Sequence, residues 1–353
     1  MKELAKGTDM DNPYIYKTPV AGRAGFFNQT AEIFRIASRI AADRPQSVSI
    51  VGGPRTGKTS MLNYLCDPET RAEQLDEPEL YLYLRLDLRG NPPNSPEEFF
   101  SMLGAQLEAA GEPAMQASYD GFSDLVEQLM EAGRKLVLLC DDFGLVTQHQ
   151  GFPLDFFSFM RSLANSNDVG YIMTSDDALQ KLCHTQDIGD SPFFNIFTTA
   201  NLGAFDQEQA CQLAAAPAAA AEVPFAAETD WIVDLAGGSP YLLQLTAHWA
   251  FAARAAGSLD RARLQEEAFK AARPHLEQLW KSHITEVQQG VLRALCEGGA
   301  VDRRQQYAAE SLVDLGYVCR EGETFAVRGG LLGRFIGAQS GGFWKKLFGR
   351  TAS

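Results

Sequence analysis

Eight consecutive residues, Gly52-Gly53-Pro54-Arg55-Thr56-Gly57-Lys58-Thr59, have the spacing G-x-x-x-x-G-K-[ST]. Glycines at these positions let the backbone turn so that successive N–H groups face one point. A helix starting near the lysine adds its positive end. The chemistry is phosphate binding. Lys58 is placed to reach the β- and γ-phosphates of a nucleotide, the Thr59 hydroxyl to complete a Mg²⁺ shell, and the loop through Ser60 to cradle the phosphates. Farther along, the apolar run 136–140 ends in Asp141-Asp142. At the C-terminal edge of a parallel strand, Asp141 can hold Mg²⁺ through water and Asp142 can polarise an attacking water. Cleavage more often uses Asp-Glu, and Asp142 is one methylene shorter, so the pair speaks more directly for binding than for hydrolysis. A further strand pattern, 169–173, ends in Thr174-Ser175, whose hydroxyls either sense a γ-phosphate or cap a helix beginning at Asp176. The guanine-reading N-K-x-D tetrapeptide is absent, which points to ATP.

These groups need a scaffold that brings strand ends together. Apolar runs at 47–51, 81–88, 136–140 and 169–173 read as strands. Amphipathic stretches at 30–42, 99–107, 122–132 and 156–163 read as helices, as does the segment from the loop to about residue 65. Ser95 with Glu98 has the form of a capping box. Strands alternating with helices over about residues 40–205 predict an α/β fold, a parallel sheet covered on both faces. Beyond Phe205 the pattern turns helical, at 208–215, 229–236, 241–255 and 264–282, with the alanine-rich run 214–221 expected to break into a loop at Pro217. From Thr285 a smaller unit follows, with helices to Cys296 and over 306–315, then a hairpin of 317–319 and 324–327.

Composition bounds the function. The 353 residues are 45% hydrophobic and 22% charged, enough for a sizeable core. Lys+Arg number 31 against 45 Asp+Glu, a formal charge of −14, which is poor electrostatics for a nucleic-acid partner. Six well-separated cysteines without a CxxC pair read as reduced thiols. No apolar leader and no run of 18 apolar residues is present, so the expected location is cytoplasmic.

From Asn12 to Ile336 the chain resembles the AAA-like-domain ATPases of the STAND branch of the AAA+ superfamily. The residues that carry the likeness are Asn12-Pro13-Tyr14, Phe26-Phe27 with Glu32, the phosphate loop with Ser60-Met61-Leu62, Leu202-Gly203-Ala204-Phe205, and Leu235-Ala236-Gly237-Gly238-Ser239-Pro240-Tyr241. The resemblance implies a P-loop domain with an N-terminal segment at 1–205, a helical lid at 206–283 and a winged helix at 284–337. It places Pro240 against the adenine, with 12–20 opposite. Three departures stand out. Asn28-Gln29 replaces a family Gly-Arg, Asp176 follows Ser175 where an arginine is usual, and no ligand-sensing repeat domain follows residue 353. The first two point to slow turnover, the third to sensing by a separate protein partner.

The segment 338–353 reads as a flexible linker and an amphipathic tail similar to the membrane-targeting helices of Min-system division ATPases. Phe343, Trp344, Leu347 and Phe348 share an arc of about 140°, with Lys345, Lys346 and Arg350 on the other side. That is the composition of a helix lying in anionic headgroups, on the inner face of the plasma membrane; docking in a protein groove is the alternative. A single tail binds weakly and an oligomer firmly. The expected function is an ATP-binding, slowly hydrolysing switch that changes assembly state, as a homo-oligomer, and acts at a membrane or on a partner protein. The alternatives are a DNA-binding protein using its winged helix and a non-hydrolysing scaffold. Residues 285–336 carry six arginines against seven acids, and 306–315 carry no Lys or Arg, which disfavours DNA. Arg161 is a candidate arginine finger toward a neighbouring subunit.

Overall fold

The computed structural model describes residues 12–27, 29–223, 226–257 and 259–339. These fall into two compact units. The sheet unit comprises 20–53 and 58–202; the helical unit comprises 203 onward together with 12–19 and 54–57.

The sheet unit runs α1 (Thr30–Ile40), β1 (Ser47–Val51), α2 (Lys58–Cys66), α3 (Pro68–Gln74), β2 (Tyr81–Asp87), α4 (Pro96–Ala109), α5 (Tyr119–Glu131), β3 (Lys135–Asp141), α6 (Gly144–Gln148), α7 (Leu154–Ser166), β4 (Val169–Ser175), α8 (Gln186–Gly189) and β5 (Phe197–Asn201). All five strands are parallel, in the order β2-β3-β4-β1-β5. The sheet is covered on both faces, so β3 and β4 are buried almost from end to end. Alternate residues of β3 serve opposite cores. Leu136, Leu138 and Cys140 enter a core rich in phenylalanine, with Phe99, Phe100, Phe122, Phe156 and Phe157. Val137 and Leu139 enter the other, with Ile36, Ile50, Met61 and Leu62. Each phenylalanine so buried contributes roughly 1.5–3 kcal/mol.

Two local expectations change. β5 had no place in the sequence pattern: Phe-Thr-Thr-Ala-Asn is polar and buries only Ala200 fully, because it is an edge strand paired on one side to β1. Ser95 does cap α4, accepting from Glu98 N at 3.3 Å, but no capping box forms. The Glu98 carboxylate takes Asn94 N and Nδ2 at 2.8 and 2.9 Å instead.

The helical unit contains α9 (Gln207–Ala220), α10 (Thr229–Ala236), α11 (Pro240–Ala255), α12 (Arg261–Ser282), α13 (Glu286–Cys296), α14 (Gln306–Asp314), the antiparallel hairpin β6 (Val318–Glu321) and β7 (Thr324–Val327), and α15 (Gly330–Gln339). Reciprocal capping boxes start α9 (Asp206 with Gln209) and α13 (Thr285 with Gln288). The loop expected at Pro217 is not there; α9 continues through it. A proline inside a helix removes one ladder donor and crowds the preceding turn. Here a distant phenol enters the ladder at the next rung. The Tyr14 hydroxyl donates to Ala214 O and accepts from Ala218 N at 3.1 Å, standing between two groups that would otherwise bond directly. Tyr14 is buried, and burial pushes its phenol well above the usual range. The amphipathic tail expected at 343–350 lies outside the described residues.

Candidate nucleotide-binding site

Parallel pairing brings the C-terminal ends of β1, β3 and β4 to one edge of the sheet, with Val51 opposite Ser175 and Cys140 opposite Met173. β1 ends at Val51, Gly52 N is held by Ser175 O at 3.1 Å, and the loop turns into α2 at Lys58. Gly57 has φ +100, a conformation that side chains rarely adopt, with open space where a Cβ would stand. Arg55 takes the left-handed region too, at φ 64.

Lys58 is the least exposed of the expected site residues on this loop. All three of its ammonium protons are engaged, by Gly52 O (2.6 Å), Gly53 O (3.0 Å) and Asp176 Oδ1 (2.7 Å). The Thr59 hydroxyl has no hydrogen-bond partner among the described residues, which suits a hydroxyl expected to meet a metal. Ser60 faces elsewhere: its Oγ accepts from Val20 N at 3.0 Å.

Asp141 ends β3 almost fully buried. One carboxylate oxygen accepts from Thr174 Oγ1 at 2.9 Å and the other lies 3.3 Å from Arg85 Nη2. The Arg85 guanidinium also donates to Asn63 Oδ1 on α2. Asp142 sits at φ 62, with Thr174 Oγ1 accepting its N–H at 2.8 Å and Arg89 pairing with its carboxylate at 2.5 Å. Burial raises the Asp142 carboxyl above its ordinary value, and Arg89 opposes the rise. Thr174 is thus the hinge of the Asp-Asp pair. Ser175 Oγ donates to Asp177 O at 2.7 Å, and no helix begins at Asp176; a 3-10 turn at Leu179–Leu182 follows. The residues that sequence reading did not select are Arg85, Arg89 and, as a partner of Lys58, Asp176. β2 lies in register beside β3, Asp87 opposite Asp141, so residues just past β2 stand beside the Asp-Asp pair. Strand adjacency was the missing signal.

Pro54, Arg55, Thr56 and Gly57 belong with the helical unit. Pro54 and Thr56 line a cavity of about 40 Å³ with Pro240, Ser239, His275 and Arg328. Pro240 opens α11 behind its cap Ser239. The Arg55 guanidinium lies 4.3 Å from the Tyr241 ring centre and 3.3 Å from Tyr16 O. The segment 12–16 packs on the same helix, since Asn12 Nδ2 donates to His248 O (3.0 Å) and His248 Nδ1 lies 2.9 Å from Tyr14 O. Burial pushes the His275 imidazole down to about 4, helped by Arg55 and His283, so it is neutral at pH 7. Its Nδ1 has no partner among the described residues.

A glycine at 57 with open space beside it, a buried ammonium and a Thr59 hydroxyl without a hydrogen-bond partner among the described residues fit a phosphate chain with Mg²⁺. Asp141, with both oxygens occupied, fits a metal reached through water rather than a direct ligand. Comparison with solved structures shows the same fold. A Walker-type ATPase of Pyrococcus abyssi superposes with a TM-score of 0.59 at 15% identity, covering 91% of this chain and 98% of that one. The Aeropyrum pernix ORC2 protein, in ADPNP–ADP complexes, gives 0.61 at 13%, covering 95% and 99%. Drosophila ORC bound to DNA gives 0.51 at 12%, covering 94% and 90%. No curated protein matches the chain in sequence. The model of one family, Novel STAND NTPase 2, matches residues 42–301, well over half of the chain. On the fold, the phosphate loop and this match, the chain belongs to the Novel STAND NTPase 2 family.

Proposed function

We propose that the protein is an ATP-binding, slowly hydrolysing switch that changes assembly state with the nucleotide and acts at a membrane surface or on a partner protein. The observation that carries the reading is the state of Lys58: a buried ammonium at the head of the loop, its charge met by the Asp176 carboxylate, which a phosphate oxygen can replace. In this reading Gly52–Ser60 cradle the phosphates, Lys58 faces the β- and γ-phosphates, and Thr59 and Asp141 serve Mg²⁺, which would neutralise phosphate charge. Pro240 flanks the adenine. Asp142 is the base for water.

Slow turnover follows from Asp142. A carboxylate paired with Arg89 at 2.5 Å is not free to polarise water until that pair opens. The domain scheme 1–205, 206–283, 284–337 and 338–353 belongs to the same reading, with the third segment a winged helix that meets protein. Its helix α14 is acidic, and Glu310 there pairs with Arg320. The ORC neighbours' DNA is therefore not carried over. The tail residues Phe343, Trp344, Lys345, Lys346, Leu347 and Phe348 supply the membrane contact.

Isothermal titration with ATP and Mg²⁺ tests the core of the reading. Lys58→Ala is expected to lose about a hundredfold in affinity, the equivalent of about 3 kcal/mol for a charge-assisted phosphate contact. Equal affinity in both proteins would end the nucleotide reading. Co-sedimentation with anionic vesicles, with ATP or ADP and beside a chain ending at Gln339, tests the tail. Tail-independent pelleting, or none at all, would remove the membrane from the function.

A further inference from the structure

Three ion pairs stand at the edge of the sheet around the loop: Asp141 with Arg85, Asp142 with Arg89, and Asp176 with Lys58. The third pair differs from the others. Arg85 and Arg89 meet acids that already have places in metal and water chemistry. Asp176 meets the one cation intended for phosphate, and the reading of the site gives it no task. Its side chain is about a third exposed while that of Lys58 is 6% exposed, so the acid reaches in from solvent to a buried ammonium. The other two partners of Lys58 are backbone carbonyls of its own loop, fixed by the turn. A phosphate oxygen arriving at Lys58 Nζ therefore displaces Asp176 rather than the loop.

Displacement does not remove the charge. Asp176 follows Ser175 at the end of β4, and Ser175 O holds Gly52 N at the start of the loop. The carboxylate stays beside the position that the last phosphate takes. Arg89, the nearby cation, is already paired with Asp142. Like charges a few ångströms apart at a protein edge repel by several RT. The repulsion grows with the number of phosphates that reach Lys58.

Resting on the nucleotide reading above, we infer that Asp176 sets the phosphate-number preference of the site. It stands in for an anion on Lys58 when the loop is empty and opposes a γ-phosphate when it is filled, so the site favours a nucleoside diphosphate over a triphosphate.

The test is titration calorimetry of the full chain with ATP and with ADP, each in excess Mg²⁺, for the wild type, Asp176→Asn and Asp176→Ser. Asp177→Asn is the control, because Asp177 pairs with Lys181 in the open and not with Lys58. The ratio of ATP to ADP affinity is expected to rise about tenfold in both Asp176 variants, with ATP tightening more than ADP, and to stay put in the control. Thermal melting without nucleotide establishes that each variant is folded. If the wild type binds both nucleotides and the ratio does not move, or ATP weakens, the role of Asp176 is overturned and the nucleotide reading stands. If the folded wild type binds neither nucleotide, both fall.

Discussion

In the sheet unit the buried charges, Lys58 and Asp141, stand at one edge, each closed by a group of opposite sign. In the helical unit one buried polar residue, Glu228, is charged and pairs with Arg254, and three neutral ones, Gln244, Thr246 and His275, lie within helices α11 and α12. Gln244 Oε1, Thr246 Oγ1 and His275 Nδ1 there have no partner among the described residues. Leaving such an atom unpaired costs about 1–3 kcal/mol, whereas a matched ion pair of good geometry roughly offsets its own desolvation. At the rim of the phosphate loop the buried charges are thus held in pairs that a solute can exchange. In α11 and α12 the buried polar groups are neutral, and His275 among them lines the cavity beside Pro240.

The contrast can be broken at both ends. The largest stability effect is expected at Tyr14→Phe, which removes the hydroxyl from the α9 ladder and leaves Ala214 O and Ala218 N without their bridge. The expected cost is about 1–3 kcal/mol in urea unfolding. The same change in a Pro217→Ala background should cost well under half as much, because the ladder can then close on itself. Equal costs in the two backgrounds would show that the phenol does not compensate for the proline. At the charged edge, Arg89→Ala is expected to act on pH dependence. Burial raises the Asp142 carboxyl and Arg89 holds the rise in check, so its removal moves the acid limb of phosphate release toward higher pH. A pH–rate profile with an unmoved limb would take Asp142 out of the base role.

The smallest effect is sought away from any site. Arg134 binds Glu112 through two contacts, at 2.7 and 3.0 Å, and holds its carboxyl below the usual range. A depressed acid contributes stability above its unfolded value and loses it as pH falls through the folded one. Glu112→Gln should cost about 1 kcal/mol at pH 7 and nothing at a pH below both values, read as the difference between urea midpoints.

Much of this was legible in the sequence where a segment's fate depends on its own residues. The apolar run of β3 ending in two acids, and the glycine loop between β1 and α2, gave strand, turn and helix in their observed places. The reading weakened where a distant residue decides. α9 continues through Pro217, and the rung after it holds the hydroxyl of Tyr14, 204 residues from Ala218. β5 is a strand because β1 offers it an edge, not because Phe-Thr-Thr-Ala-Asn favours one. Arg85 and Arg89 joined the acids only once β2 was known to lie beside β3. α15, with glycines at 330, 333 and 337, has weak helical propensity, and burial of Leu331, Leu332, Phe335 and Ile336 overrides it.

The Tyr14 bridge also has a consequence in time. A ribosome makes residue 14 early, and its two acceptor and donor groups on α9 appear some two hundred residues later. At about 5–20 residues per second, the N-terminal segment waits roughly 10–40 s for its anchor to be synthesised. During that interval an aromatic stretch around Tyr14 and Tyr16 has none of its final contacts on α9 or α11. Nascent chains of this protein, arrested before and after residue 218, should therefore differ sharply in how fast a protease cuts near residue 14.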